Sequence, residues 1–211
     1  MPKLPILIKG KIRYAPCHIS PYSPITDRVR MTFNVHLPEG IKGRILDAGC
    51  SSGMTTREIS YLYPDAHVIG IDVNEKILPQ RKDWGVNLEF HLGNFYLLPG
   101  IFPPRTFDAI FSMNNFLNVV RDMYRTETEA VLQGFFTRLK INGYLLMSGH
   151  KEGVVLMKQD DAFQVLWAGK WLGDEMLFGV LPQILGISTI GAKLPENREQ
   201  KMRASRRRFG I

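Results

Sequence analysis

The segment Ile45-Leu46-Asp47-Ala48-Gly49-Cys50-Ser51-Ser52-Gly53 gathers the residues best suited to chemistry. An apolar run ends in a carboxylate, and a loop of small residues follows. Such a loop lets the backbone approach a ligand closely, and the helix after it turns N–H groups towards that ligand. Nineteen residues after Gly53, Asp72 closes a second apolar run. A carboxylate at that point accepts hydrogen bonds from both hydroxyls of a ribose. The spacing Gly49-x-x-x-Gly53 departs from the G-x-G-x-x-G pattern tuned to a pyrophosphate. Asp47 would repel a pyrophosphate and suits an ammonium. A nucleoside-containing ligand at the carboxyl edge of a sheet is the chemistry that results. Alone, Asp47 could equally cap the following turn and Asp72 could be a surface strand end; their shared register is what carries the reading.

Other reactive residue types are less informative. No partner base lies near Cys50 in sequence, which makes it a small hydrophobe of the loop. His18, His36, His67, His91 and His150 show no metal-ligand spacing, and no metal site is expected. His91 reads as a packed or surface histidine. His150 follows an apolar run at the same edge, where it could take a proton from a substrate hydroxyl or amine.

The elements that would position these groups alternate. Pro2, Pro5, Pro16, Pro21 and Pro24 make residues 1–26 an extended lead-in. Thr26-Asp27 offers caps to a short helix over about Arg28 to His36. Strands are expected at 43–49, 67–72, 87–92, 107–112 and 144–147, the last after a turn at Asn142-Gly143. Helices are expected at 54–63, 74–82 and 126–139, the second disturbed by Pro79. Strands alternating with helices argue for right-handed crossovers and a parallel sheet. Beyond Ser148 the pattern weakens. Gly153 to Met157 reads as strand or loop, Asp160 to Leu172 as a helix, and Ile184 to Ile190 as a last strand.

In this register the sequence resembles the class I S-adenosylmethionine-dependent methyltransferases. LDAGCSSG fits their first motif, with Ser51 in place of the middle glycine. VIGID fits the second, GNFYLLPG the loop after strand three, and FDAIFSMNNF strand four. Leu139-Lys140-Ile141-Asn142-Gly143 stands at their turn before strand five. The resemblance covers about residues 43–149. It implies an α/β, Rossmann-like doubly wound sheet, mostly parallel, with helices on both faces and a C-terminal part that is rearranged, because the family's usual antiparallel strand pair is hard to find. Residues 1–42 would be a lead-in and candidate substrate lid, 43–192 the cofactor domain, and 193–211 a basic tail. The cofactor implied is S-adenosylmethionine. Asp47 and the loop Gly49, Cys50, Ser51 and Gly53 would hold its methionine part, Asp72 its ribose, and Val73 would pack on the adenine. Asn94 stands where the family often has an aspartate that accepts from the adenine amino group, with Phe95 as a packing neighbour. Ser112, Met113 and Asn114 would face the reacting sulfonium. SMNNF lacks the proline of the signature tied to amino-methylation of bases or glutamine.

The 211 residues, 45% hydrophobic and 22% charged, have an ordinary globular composition that excludes coiled coil, collagen and a multi-span membrane protein. Two cysteines are too few for a disulfide framework. The basic start has only a short apolar run, broken by Pro5, so a secretory signal is not expected and the cytoplasm is the expected location. The uncharged run Met176 to Ala192 falls short of the ~20 apolar residues a membrane span needs, and reads as a buried helix followed by a strand. The net charge of +7 sits at the ends: +4 in residues 1–26, +5 in residues 193–211, and −2 between. A basic tail attracts nucleic acid or acidic partners, or only aids solubility. The expected activity is methyl transfer to a small-molecule acceptor. The alternatives are a methyltransferase acting on RNA or protein, and a catalytically silent cofactor-binding partner subunit.

Overall fold

The computed structural model describes residues 6–8, 11–13, 28–81, 84–116, 125–149 and 153–168. Two short strands, β1 (Ile6–Ile8) and β2 (Lys11–Arg13), pair antiparallel with each other. The main sheet has seven strands: β3 (Gly43–Ala48), β4 (Ala66–Asp72), β5 (Leu88–Leu92), β6 (Phe107–Met113), β7 (Leu139–Ser148), β8 (Gly153–Lys158) and β9 (Phe163–Ala168). Their spatial order is β5-β4-β3-β6-β7-β8-β9, with β5 to β7 parallel and the last two antiparallel. Chain order runs outward from β3 on one side and from β6 on the other. The switch point between β3 and β6 is where an open α/β sheet leaves a crevice beyond its carboxyl ends.

The central strands read as continuous apolar runs because both of their faces are covered. Alternate residues go to opposite layers. Leu46, Ile69, Ile110 and Leu145 pack under α3 (Leu98–Ile101) and α4 (Arg125–Arg138), with Leu132 and Phe135 above them. Ile45, Val68, Ala109, Phe111 and Leu146 pack under α1 (Arg28–Phe33) and α2 (Met54–Leu62), through Val29, Phe33 and Ile59. The doubly wound, mostly parallel architecture is the expected one. Helix α1 runs into a 3-10 turn at Asn34–His36. The expected caps Thr26 and Asp27 lie outside the described residues. The acceptor at this N-terminus comes from α2 instead: Glu58 Oε1 accepts from the N–H of Val29 at 2.8 Å and of Arg30 at 3.2 Å.

Three expectations need correction. Residues 74–81 do not form an α-helix; a 3-10 turn, Glu75–Ile77, is capped by Asn74, whose side chain accepts from the N–H of Lys76. Pro79 prevents its continuation, since it lacks the N–H that a helix interior needs. Asn142-Gly143 turns within the span of β7: Leu139 pairs with Phe107 and Tyr144 with Ala109, so the residues between bulge out of the ladder, with Asn142 at φ 62°. Of the expected helix at 160–172, the described part, residues 160–168, is a hairpin turn followed by β9. Gln159 N–H donates to Ala162 O at 2.8 Å, and Phe163 to Ala168 return along β8. Pairing with β8 overrides helical periodicity there. Trp167 anchors the strand, stacked on His36 at 4.8 Å and edge-on to Phe33 at 6.1 Å. Thus the antiparallel pair that the sequence hides is β8 and β9, reached directly from β7. The expected strand 184–190 and the run 176–192 lie outside the described residues.

Lys158, at the end of β8, is buried and donates to the carbonyls of Phe136 and Leu139, both at 2.8 Å. These are carbonyls at the C-terminal end of α4, where a cation is favoured. Its Nζ also lies 4.4 Å from the centre of the Phe136 ring. Lys158→Met keeps the stem but strips both bonds, and should cost about 2–3 kcal/mol, read as a lower urea midpoint at unchanged slope.

Candidate functional site

The site is built at the switch point, from the carboxyl ends of β3, β4 and β6. Asp47 is the next-to-last residue of β3, before Ala48, and is only 1% exposed. Its Oδ2 accepts from the Thr56 hydroxyl in the first turn of α2, at 2.7 Å. Burial pushes the Asp47 carboxyl up to about 7; the Thr56 bond opposes this, and the charges of Asp72 and Glu58 add to it.

The loop after Asp47 is fixed by its backbone. Gly49 N–H and Cys50 N–H both donate to Ile71 O, at 2.8 and 2.9 Å, which ties the end of β3 to that of β4. Gly49, Ser51 and Gly53 take φ values of 85°, 51° and 77°. At Gly49 a Cβ would fall on the Asn115 amide, and at Gly53 on the Phe90 ring. Gly49→Ala should therefore destabilise by about 1–3 kcal/mol in urea unfolding. Gly100→Ala, where nothing lies within 4 Å, should stay within about 0.5 kcal/mol.

Asp72 stands half-exposed at the end of β4 and bridges two loops. Its Oδ2 accepts from Ser51 N–H and its Oδ1 from Asn74 N–H, both at 2.9 Å. Val73, next in the chain, is half-buried. Asn94 is buried beyond β5, and its Oδ1 accepts from Tyr96 N–H at 3.0 Å, capping the 3-10 turn Phe95–Leu97. Phe95 lies in the core behind that cap, stacked on Tyr96 and Phe135. Ser112 is buried, and its Oγ accepts from Phe116 N–H at 3.3 Å. Met113 is buried beside the Ser148 hydroxyl, which donates to its sulfur at 3.5 Å. Asn114 is exposed, at φ 52°, and its N–H donates to Ser148 O at 2.9 Å. Cys50 is buried, and burial, then the charges of Asp47 and Asp72, push its thiol well up. That suits packing, not nucleophilic attack.

Asp47, the Gly49–Gly53 loop and Asp72 are thus joined by direct or loop-borne hydrogen bonds. Asn94 with Phe95, and Ser112 to Asn114, sit at the ends of the neighbouring strands. His150 lies outside the described residues. Asn115, the second asparagine of the SMNNF edge, enters the same network, as do three residues that the motifs do not mark: Thr56, Glu58 and Ser148. The signal for Thr56 was a hydroxyl three residues after Gly53, in the first turn of the following helix. The others face the site through tertiary contacts with no sequence signature. Among the described residues no group of three or more His, Cys, Asp or Glu is placed to hold a metal ion. His67 and His91 instead flank Glu89, at 3.1 and 3.2 Å. No helix among the described residues is long and apolar enough to cross a membrane.

A family model described as a methyltransferase domain matches residues 41–176, and the chain belongs to that family. The methyl donor of this class is S-adenosylmethionine. Among curated proteins, the malonyl-[acyl-carrier protein] O-methyltransferase of Bacillus cereus is 30% identical over 112 residues, which are 51% of this chain and 38% of that protein. The uncharacterized phycocyanin operon protein W of Pseudanabaena tenuis is 50% identical over 40 residues, 19% of this chain and 38% of that one. Among solved structures, the YcgJ protein of Bacillus subtilis is 24% identical, with a TM-score of 0.41 over 53% of this chain and 45% of its own. The chain spans about two fifths of the length of the curated relatives it matches.

The residues present fit this donor. At Gly49 and Gly53 the room a Cβ would need is taken by Asn115 and Phe90, so the two glycines let the loop hold its tight, side-chain-free course beside the strand ends. The side chains beside it, Asp47 before the loop on β3 and Asp72 at the end of β4, are acceptors of hydrogen bonds and suit an ammonium and a pair of hydroxyls. They do not suit a pyrophosphate.

Proposed function

We propose that this chain is an S-adenosylmethionine-dependent methyltransferase acting on a small-molecule acceptor. The observation that carries the reading is the pair of carboxyl groups at the ends of β3 and β4, with the glycine loop held between them. When bound, the donor supplies a methyl carbon made electrophilic by a positively charged sulfur. Asp47, once ionised, holds the ammonium. Asp72 accepts from the ribose hydroxyls through the lone pairs its loop contacts leave. Val73 packs on the adenine. Asn94 meets the polar edge of that ring, with Phe95 bracing it from behind. Gly49, Cys50, Ser51 and Gly53 bring backbone close to the methionine part. Ser112, Met113 and Asn114 form the edge facing the reacting atoms.

An in-line displacement with a good leaving group asks mainly for alignment and exclusion of water. No acid–base pair is needed where the accepting atom is already deprotonated. Where it is a hydroxyl or an amine, His150 is the group we assign to remove its proton, and His150→Ala would then lower turnover without changing donor affinity. The relatives named as O-methyltransferases of a malonyl group support oxygen as an accepting atom. Carboxylic acids and their thioesters belong first in an acceptor screen.

Calorimetric titration of the full chain with S-adenosylmethionine, followed by transfer of labelled methyl to a panel of small molecules, RNA and proteins, tests the reading. Micromolar-range binding and a labelled small molecule are the expected results. A labelled RNA or protein would replace the acceptor class. Binding with no turnover would make the chain a silent partner subunit.

A further inference from the structure

Asn115 has no role in the donor-binding reading above, yet it reaches the loop at its first residue, Gly49. Its Nδ2 donates to Gly49 O at 3.2 Å. The space that a Cβ at Gly49 would take is filled by the same amide. Gly49 sits at φ 85°, and its N–H is held by Ile71 O at 2.8 Å, so both polar groups of this peptide unit's residue are engaged. On the other side, Asn114 is in the left-handed region at φ 52°, and its N–H is held by Ser148 O at 2.9 Å, with Ser148 Oγ at 3.1 Å. The pair Asn114-Asn115 therefore joins the end of β7 to the end of β3, across β6. Through Ile71 the chain of contacts continues to β4.

Resting on the donor-binding reading of this site, we propose that Asn115 is a positioning residue. It ties the loop after β6, which faces the acceptor, to the loop after β3, which faces the donor. Methyl transfer depends on the separation and angle of two reactants held by different loops, and a misplacement of about 1 Å costs on the order of a hundredfold in rate. A bond between the two loops fixes that separation. The side chain meets two demands at once. It must be short enough to fill the gap beside Gly49, and it must carry a donor, because its partner is a carbonyl. Aspartate has the shape without the donor, and alanine has neither.

The test compares the full chain with Asn115→Ala and Asn115→Asp at pH 8. Calorimetry gives the affinity for S-adenosylmethionine, and amide exchange at Asn114 is followed with and without S-adenosylhomocysteine. In the wild type the ligand is expected to slow exchange at Asn114, whose N–H is held by Ser148 and whose loop is tied to the donor loop through Asn115. Both variants should bind S-adenosylmethionine about fivefold to tenfold more weakly. Both should lose the slowing at Asn114, which a residue that only adds stability would not affect. Wild-type affinity with the slowing retained in either variant overturns the proposal. A wild type that fails to bind S-adenosylmethionine overturns the donor reading itself, and this inference with it.

Discussion

Replacing Asp72 by alanine is expected to lower the affinity for S-adenosylmethionine by about a hundredfold or more. In the proposed site two hydroxyl-to-carboxylate bonds would be lost, each of about 1.5–3 kcal/mol, and every 1.4 kcal/mol is tenfold. A second loss comes from the protein. Asp72 holds Ser51 N–H and Asn74 N–H at 2.9 Å, so the two loops around the donor lose their common acceptor. Asp72→Asn retains the shape and one oxygen acceptor, and should lose about tenfold. Titration calorimetry of the three proteins side by side measures this. An alanine variant that binds like the wild type would remove Asp72 from the donor site.

In the proposed donor site, affinity for S-adenosylmethionine is expected to rise with pH between about 6 and 8, with a proton released on binding. Asp47 would carry the effect, its carboxyl pushed up to about 7 by burial and by the facing charges of Asp72 and Glu58. An ammonium needs the ionised form, so below 7 the proton must leave first, and affinity falls by up to about tenfold per pH unit. Calorimetry in two buffers of different ionisation enthalpy counts the proton. The unliganded protein moves the other way. Its folded state keeps a proton that the unfolded chain gives up near 3.8. The stability from protonated Asp47 is complete below about 4, falls as pH rises to about 7, and then levels off, a total of about 4 kcal/mol. Asp47→Asn removes most of this slope, raises the urea midpoint at pH 8, and binds the donor poorly. A variant less stable than the wild type at pH 8 would show that Asp47 is not a buried acid held at a cost for its ligand.

The parallel half of the sheet was legible because buried strands write themselves as apolar runs, and the turns between them carry Gly, Pro and Asn. Ile45-Leu46 and Val68-Ile69 could be placed without a structure, and so could the carboxylates that end those strands. The antiparallel end was not. Phe163 to Ala168 has the composition of either element, and only the neighbouring β8 decides between them. The stretch after Asp72 misled for the opposite reason: helix-forming residues surround Pro79, yet the described residues before it make a 3-10 turn, not an α-helix. At the site, the motif residues were readable because each answers a local demand of loop or strand end. Glu58 was not, and of Asn115 only its place in the strand-four segment was readable. Each acts on a backbone group far away in sequence, Val29 N–H and Gly49 O, and no local pattern announces that partner.

The direct passage from β7 through β8 to β9 bears on the order of assembly. In this meander Leu145 meets Leu156 and Leu156 meets Val165. In the parallel half, Ile45 must find Ala109. Short closures are entropically cheap and fast, and long ones are slow. The meander is therefore the natural nucleus, and the strands that present Asp47 and Asp72 join it late. A ligand that recognises only those joined strands has nothing to hold at the folding barrier. It leaves the refolding rate almost unchanged and acts on the way out, lengthening the lifetime of the folded chain.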